Sequence, residues 1–131
     1  MRPAPDEIIA VFLGGVVGAI ARAELDTLID TAPGHWPWST FAVNITGAFL
    51  LGYFATRLQL PLPFRQHHTA FLEVGFCGAL TTFSALQLEL LQMLDADRIA
   101  LAVAYAGTSI VLGYAAVAAA AKLARRVEAR T

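Results

Sequence analysis

The sequence predicts an all-α membrane protein of four transmembrane helices. Hydrophobic residues make up 57% of the 131 residues and charged residues 15%, against about 45–50% and about 25% in soluble domains. Mean hydropathy is +0.62. The apolar residues gather into four stretches close to the roughly 20 residues that cross about 30 Å of hydrocarbon. At this length the whole chain, 1–131, reads as one domain.

The first span runs from about Ile8 to Leu28, with Ile8–Ala21 free of charge and Arg22, Glu24 and Asp26 at its far end. Asp6 and Glu7 precede it and three more apolar spans follow, which argues against a cleaved signal peptide. The connector from Thr31 to Trp38 is turn-rich, and Trp36 and Trp38 fit the headgroup level. The second span runs from about Ser39 to Thr56. The next connector, Gln59–His68, carries Pro61, Pro63, Arg65, His67 and His68. The third span runs from about Thr69 to Leu94, with Glu73 and Glu89 near its ends. Asp95 or Asp97 is placed to N-cap the fourth span, Ile99–Ala121. Lys122–Thr131 reads as a basic, solvated helix end.

Charge and composition exclude several functions. A net charge of −1 leaves no electrostatic footprint for nucleic acid. A lone Cys77 forbids an intrachain disulfide or a cysteine-rich metal cluster. His35, His67 and His68 fall in expected loops, away from carboxylates, and Ser39, Ser84 and Ser109 have no evident base. The chain is therefore not read as an enzyme. Four spans put both termini on one side. That side holds Arg2, Arg57, Arg65, Lys122, Arg125, Arg126 and Arg130, the other Arg22 and Arg98, which favours termini inside.

Polar and small residues inside the spans carry the functional signal. Gly14 and Gly18, and Ala48 and Gly52, are spaced four apart, so two helix backbones can approach closely, either within one subunit or between two. Thr40, Asn44 and Gly47 share one face of the second span; Tyr105 and Ser109 lie one turn apart on the fourth. Intramembrane polar groups must face protein or an aqueous path, so the stripes either line a path or bond the helices together. The third span contains Gly75-Phe-Cys-Gly78-Ala-Leu-Thr81-Thr82-Phe83-Ser84. Glycine costs about 1 kcal/mol in a helix interior and threonine hydroxyls compete for backbone groups. The run predicts either a mid-membrane break, which frees carbonyls and amides for an ion, or an intact helix with a small-residue packing face.

The same run, GFCGALTTFS, closely resembles the third-helix signature of the small fluoride ion channels, the Fluc or CrcB family. Gly14-Gly15-Val-Val-Gly18-Ala-Ile-Ala-Arg22 resembles its first-helix pattern, and Thr40-Phe-Ala-Val-Asn44-Ile-Thr-Gly47 its second-helix start. The resemblance implies a passive fluoride-selective channel exporting fluoride from the cytoplasm, in the bacterial inner membrane. It implies an antiparallel, dual-topology homodimer with two pores and a central structural sodium ion held by the carbonyls of Gly78 and Thr81. Asn44, Phe83, Ser84, Thr82, Tyr105 and Ser109 are implied to line the fluoride path, with Arg22 near a vestibule or buried pair and Glu89 at a pore mouth. Fluoride needs replacements for lost water, which amide N–H₂ and hydroxyl groups supply and aromatic ring edges can face.

Three features depart from the pattern. Leu86 stands where a second phenylalanine is usual, Gly113 where a serine is expected, and the Lys/Arg bias is poorly matched to a chain inserting both ways. The departures keep open a heterodimer with an oppositely oriented homologue, or a non-conducting scaffold subunit. A small multidrug-type transporter is the further alternative, but it would need an acid in the first helix, and Ile8–Ala21 has none.

Overall fold

The computed structural model describes residues 4–59 and 65–129. Four helical spans are long and apolar enough to cross a membrane. They are α1 (Pro5–Leu28), α2 (Trp38–Arg57), a composite third span over Arg65–Asp95, and the last helix, Ile99–Glu128. The third span begins as α3 (Arg65–His68), widens into a π-helical segment over Thr69–Cys77 and tightens into α4 (Gly78–Leu80). It then resumes as α5 (Phe83–Asp95), and Ile99–Glu128 is α6. Pro61, Pro63, Arg2 and Arg130 lie outside the described residues.

Spans one and three pair along α1 and the π segment; spans two and four pair along α2 and α6. Lipid tails are as apolar as these side chains, so backbone fit rather than water exclusion must hold the pairs. A Cβ on Gly14 would collide with the Phe71 carbonyl oxygen, and one on Gly18 with that of Phe76. From the other side, a Cβ on Gly75 would sit 2.5 Å from the Val11 carbonyl oxygen. The glycine stripe is thus spent inside one chain. Gly52 does the same between α2 and α6, where a Cβ would lie 2.8 Å from the Val117 carbonyl oxygen.

Buried Met93, Ala102 and Tyr105 form a cluster between α5 and α6, flanked by Trp36, Phe41 and Leu86. Trp36 packs against this cluster. It is half-buried and meets Tyr105 edge-on, with ring centres 5.3 Å apart, while Trp38 stays exposed. The first connector turns at Gly34, whose φ of 77° suits a residue without Cβ. Arg98 Nη1 donates to the Gly34 carbonyl at 3.2 Å.

Two expectations about the connectors fail. Neither Asp95 nor Asp97 caps the fourth span: Arg98 precedes α6, with no side-chain cap. Asp95 closes α5, and Asp97 occupies the left-handed region at φ 57° so that a three-residue turn can reverse the chain. Asp97→Gly should raise the melting temperature of the purified protein, by relieving a strain of about 1 kcal/mol. His67 and His68 belong to α3 rather than a loop, because the span starts earlier than its apolar residues. His67 Nε2 pairs with Asp6 Oδ2 at 2.6 Å, tying the starts of spans one and three together at the same end.

Candidate ion pathway

The third span loses its helix at Thr81 and Thr82. Both adopt extended backbone, with ψ of 153° and 116°. Asn44, reaching across from α2, holds the break open. Its Oδ1 accepts the Thr82 N–H at 2.8 Å, and its Nδ2 donates to the Thr82 carbonyl at 3.1 Å. One side-chain amide thereby satisfies both backbone groups of an interrupted residue, as a strand partner would. Thr82 Oγ1 then accepts the Ala85 N–H at 3.2 Å and caps α5. Thr81 instead turns back, with N–H and hydroxyl both donating to the Cys77 carbonyl.

The diversion of the Thr82 N–H has a consequence four residues earlier. In an unbroken helix that group would bond the Gly78 carbonyl. Gly78 is exposed, and a Cβ there would meet nothing within 4 Å. Gly78 and Thr81 line one concavity of about 330 Å³ with Asn44, Gly47, Thr82 and Phe83. A hard cation takes oxygen ligands such as backbone carbonyls. Among the described residues no cluster of three His, Cys, Asp or Glu could hold a metal. Phe83 is 70% exposed at the rim.

One turn toward the start of α2, about 6 Å of rise, a second polar network begins. Thr40 Oγ1 donates to Glu89 Oε1, and the fully buried Tyr105 donates its hydroxyl to Glu89 Oε2 at 2.8 Å. The carboxylate therefore joins α2, α5 and α6. Beside it Ser39 donates to Asp26, fastening α2 to the end of α1. These groups open into a concavity of about 340 Å³, lined also by Asp30 and Gln92. Polar side chains thus run from this mouth through Thr40 to the break.

The sequence-predicted residues are not all brought together. Asn44, Thr82 and Phe83 meet at the break, and Ser84 Oγ lies 3.2 Å from Thr82 Oγ1. Glu89 and Tyr105 meet at the mouth. Ser109 Oγ is buried with no hydrogen-bond partner among the described residues. Gly113 leaves open space where a Cβ would project. Leu86 packs on the Tyr105 cluster. Arg22 is half-buried and forms no ion pair among the described residues.

Sequence reasoning missed the Thr40–Glu89–Tyr105 link and the Ser39–Asp26 bond. Both join spans whose relative rotation no single-helix pattern fixes. It also missed the π segment, for which only the glycine content gave a hint.

Comparison with known proteins gives a consistent result. The family model for "CrcB-like protein, Camphor Resistance (CrcB)" matches residues 9–121. The chain is 52% identical over 124 residues to "Fluoride-specific ion channel FluC 1" of Mycolicibacterium paratuberculosis, covering 95% of this chain and 94% of the relative. It is 49% identical to the protein of the same name from Mycobacterium tuberculosis, with the same coverage. It is 38% identical over 111 residues to "Fluoride-specific ion channel FluC" of Methanopyrus kandleri, covering 85% and 83% of the two chains. With the first match alone spanning most of its length, this four-span chain belongs to the CrcB-like family.

Proposed function

We propose that the protein is a fluoride-selective passive channel of the bacterial inner membrane that lets fluoride leave the cytoplasm. The observation that carries this reading is the Asn44-held break in the third span. It presents an amide, the hydroxyls of Thr82 and Ser84, and the Phe83 ring along one polar line. The names of the relatives point the same way. The break falls near the middle of the 31-residue third span, which supports a mid-membrane depth for it. Irregular backbone is tolerated there where it lines a cavity or is buried in protein.

One chain leaves this line open to the outside, since Phe83 and Gly78 are both exposed. A second copy, inserted antiparallel, would close it and give two pores. The carbonyls of Gly78 and Thr81 would then hold a central sodium ion, whose charge would offset the desolvation of fluoride. In this reading Asn44, Thr82 and Ser84 donate to the passing anion and Phe83 turns a ring edge to it. Glu89, locked by Thr40 and Tyr105, sets the mouth, with Arg22 near the vestibule. The Ser109 hydroxyl, without a hydrogen-bond partner among the described residues, would be a further donor on this track. The seven-to-two Lys/Arg asymmetry favours a second reading, a heterodimer with an oppositely oriented homologue.

Fluoride efflux from proteoliposomes, read with a fluoride electrode and with chloride as control, tests the function. Fast, valinomycin-dependent fluoride release without chloride release is expected. No release from well-folded protein containing only this chain would overturn the homodimeric channel. Leu86→Phe restores the usual aromatic wall and should raise fluoride flux several-fold. It should also lower the melting temperature, because the extra volume presses on the Tyr105 cluster at a cost of about 1–3 kcal/mol. Unchanged flux would mean that Leu86 does not line the path.

A further inference from the structure

A groove on the outer face of α1 and the start of the third span carries chemistry that the ion path leaves unused. It encloses about 880 Å³, within the roughly 300–1,000 Å³ of small-molecule clefts. Its floor is apolar, with Ile8 and Phe12 from α1 and Val74 from the π segment. Phe12 is 68% exposed and Val74 59%. One end is polar, formed by Glu7, Arg65 and Thr69. Both spans start at that end, beside the Asp6–His67 bridge. The polar end therefore lies at the membrane boundary and the apolar floor runs inward along the helices.

The boundary carries both signs: Arg65 on the third span, and Asp6 and Glu7 on α1, with Asp6 held by His67. Glu7 turns its carboxylate to its own helix start, where Oε2 accepts the Ala4 N–H at 3.4 Å. Among the described residues no carboxylate lies within ion-pair distance of the exposed Arg65, although Glu73 is close enough to feel its charge. A guanidinium binds phosphate bidentately, and the trough below it is continuous with the spans. An acyl chain entering from the bilayer meets only apolar side chains until the headgroup reaches Arg65. We propose that this groove is a binding site for an anionic phospholipid, with its phosphodiester on Arg65 and one acyl chain over Ile8, Phe12 and Val74. A zwitterionic lipid carries its own cation and gains less from Arg65. One basic residue near the surface corresponds to about fivefold preference for an anionic lipid.

The test is native mass spectrometry of the whole chain released from nanodiscs of equimolar phosphatidylglycerol and phosphatidylcholine. The protein should retain phosphatidylglycerol over phosphatidylcholine by about fivefold. Arg65→Gln should bring the two to parity, and Arg125→Gln, in the basic tail, should not. Val74→Trp fills the groove from an exposed position and should strip both lipids. It carries the test should Arg65→Gln not purify. No preference in the unaltered protein, a preference that survives Arg65→Gln, or retention unchanged by Val74→Trp would each overturn the site. The same spectra read oligomer mass. A mass reduced by Val74→Trp with lipid retention unaltered would instead assign the groove to a second copy of the chain.

Discussion

Asn44→Ala is expected to cut fluoride efflux by about 100-fold or more and to lower the melting temperature of what remains folded. The side chain satisfies the N–H and the carbonyl of Thr82 at once. Truncation strands both at a residue only 8% exposed. Each unpaired buried group costs about 1–3 kcal/mol, and a tenfold change in rate corresponds to about 1.36 kcal/mol. The helix would relieve the loss by rewinding through Thr81 and Thr82, which closes the polar line. Asn44→Asp separates the two bonds. It keeps the acceptor for Thr82 N–H but sets a carboxylate oxygen against the Thr82 carbonyl, so flux should fall as far as with alanine. Proteoliposome efflux paired with thermal melting decides it. Normal flux in either variant would remove Asn44 from the pathway.

Gly14→Val should abolish recovery of folded protein. Already at the first carbon the new side chain occupies the space of the Phe71 carbonyl oxygen. That neighbour is backbone, braced from behind by its own helix, so it cannot rotate aside as a side chain would. Overpacking in a tight core costs about 1–3 kcal/mol and occasionally more; here two helices must separate along their length. Gly113→Ala is the matched control, since a Cβ there meets nothing within 4 Å. Detergent extracts run by size exclusion should give a monodisperse peak for Gly113→Ala and aggregate for Gly14→Val. Comparable peaks for the two would mean that α1 and the π segment are not clamped as described.

The four spans were legible because lipid imposes one crude demand, length of apolar run, and the sequence meets it four times. Gly75–Ser84 marked where the third span would give way, and Thr81 and Thr82 are the residues that leave the helix. Asn44 was legible as polar and mid-span, but not its grip on Thr82, which depends on how α2 is rotated against a residue 38 positions away. Glu89 was seen near a helix end, whereas its two partners come from other spans. Gly14 and Gly18 left two uses open. Spacing shows only that something must come close, and the carbonyls of Phe71 and Phe76 show what does. The histidine and cap assignments failed for a common reason: helix ends are set by chain reversal and cross-span contacts, and Asp97 serves the reversal.

The two extended residues at Thr81 and Thr82 also divide the consequences of mutation. Above them, the π segment and α4 pack on α1; below them, α5 packs on α6. Within the third span, damage to one half has no continuous helix through which to reach the other, and the link that remains is α2, bonded to Thr82 and Glu89. Independent sites add their free-energy changes to within about 0.3–0.5 kcal/mol, whereas coupled ones do not. Paired substitutions drawn from the Gly14–Gly75 seam and the Met93–Tyr105 cluster should therefore combine additively, and each seam can drift in sequence without waiting for the other.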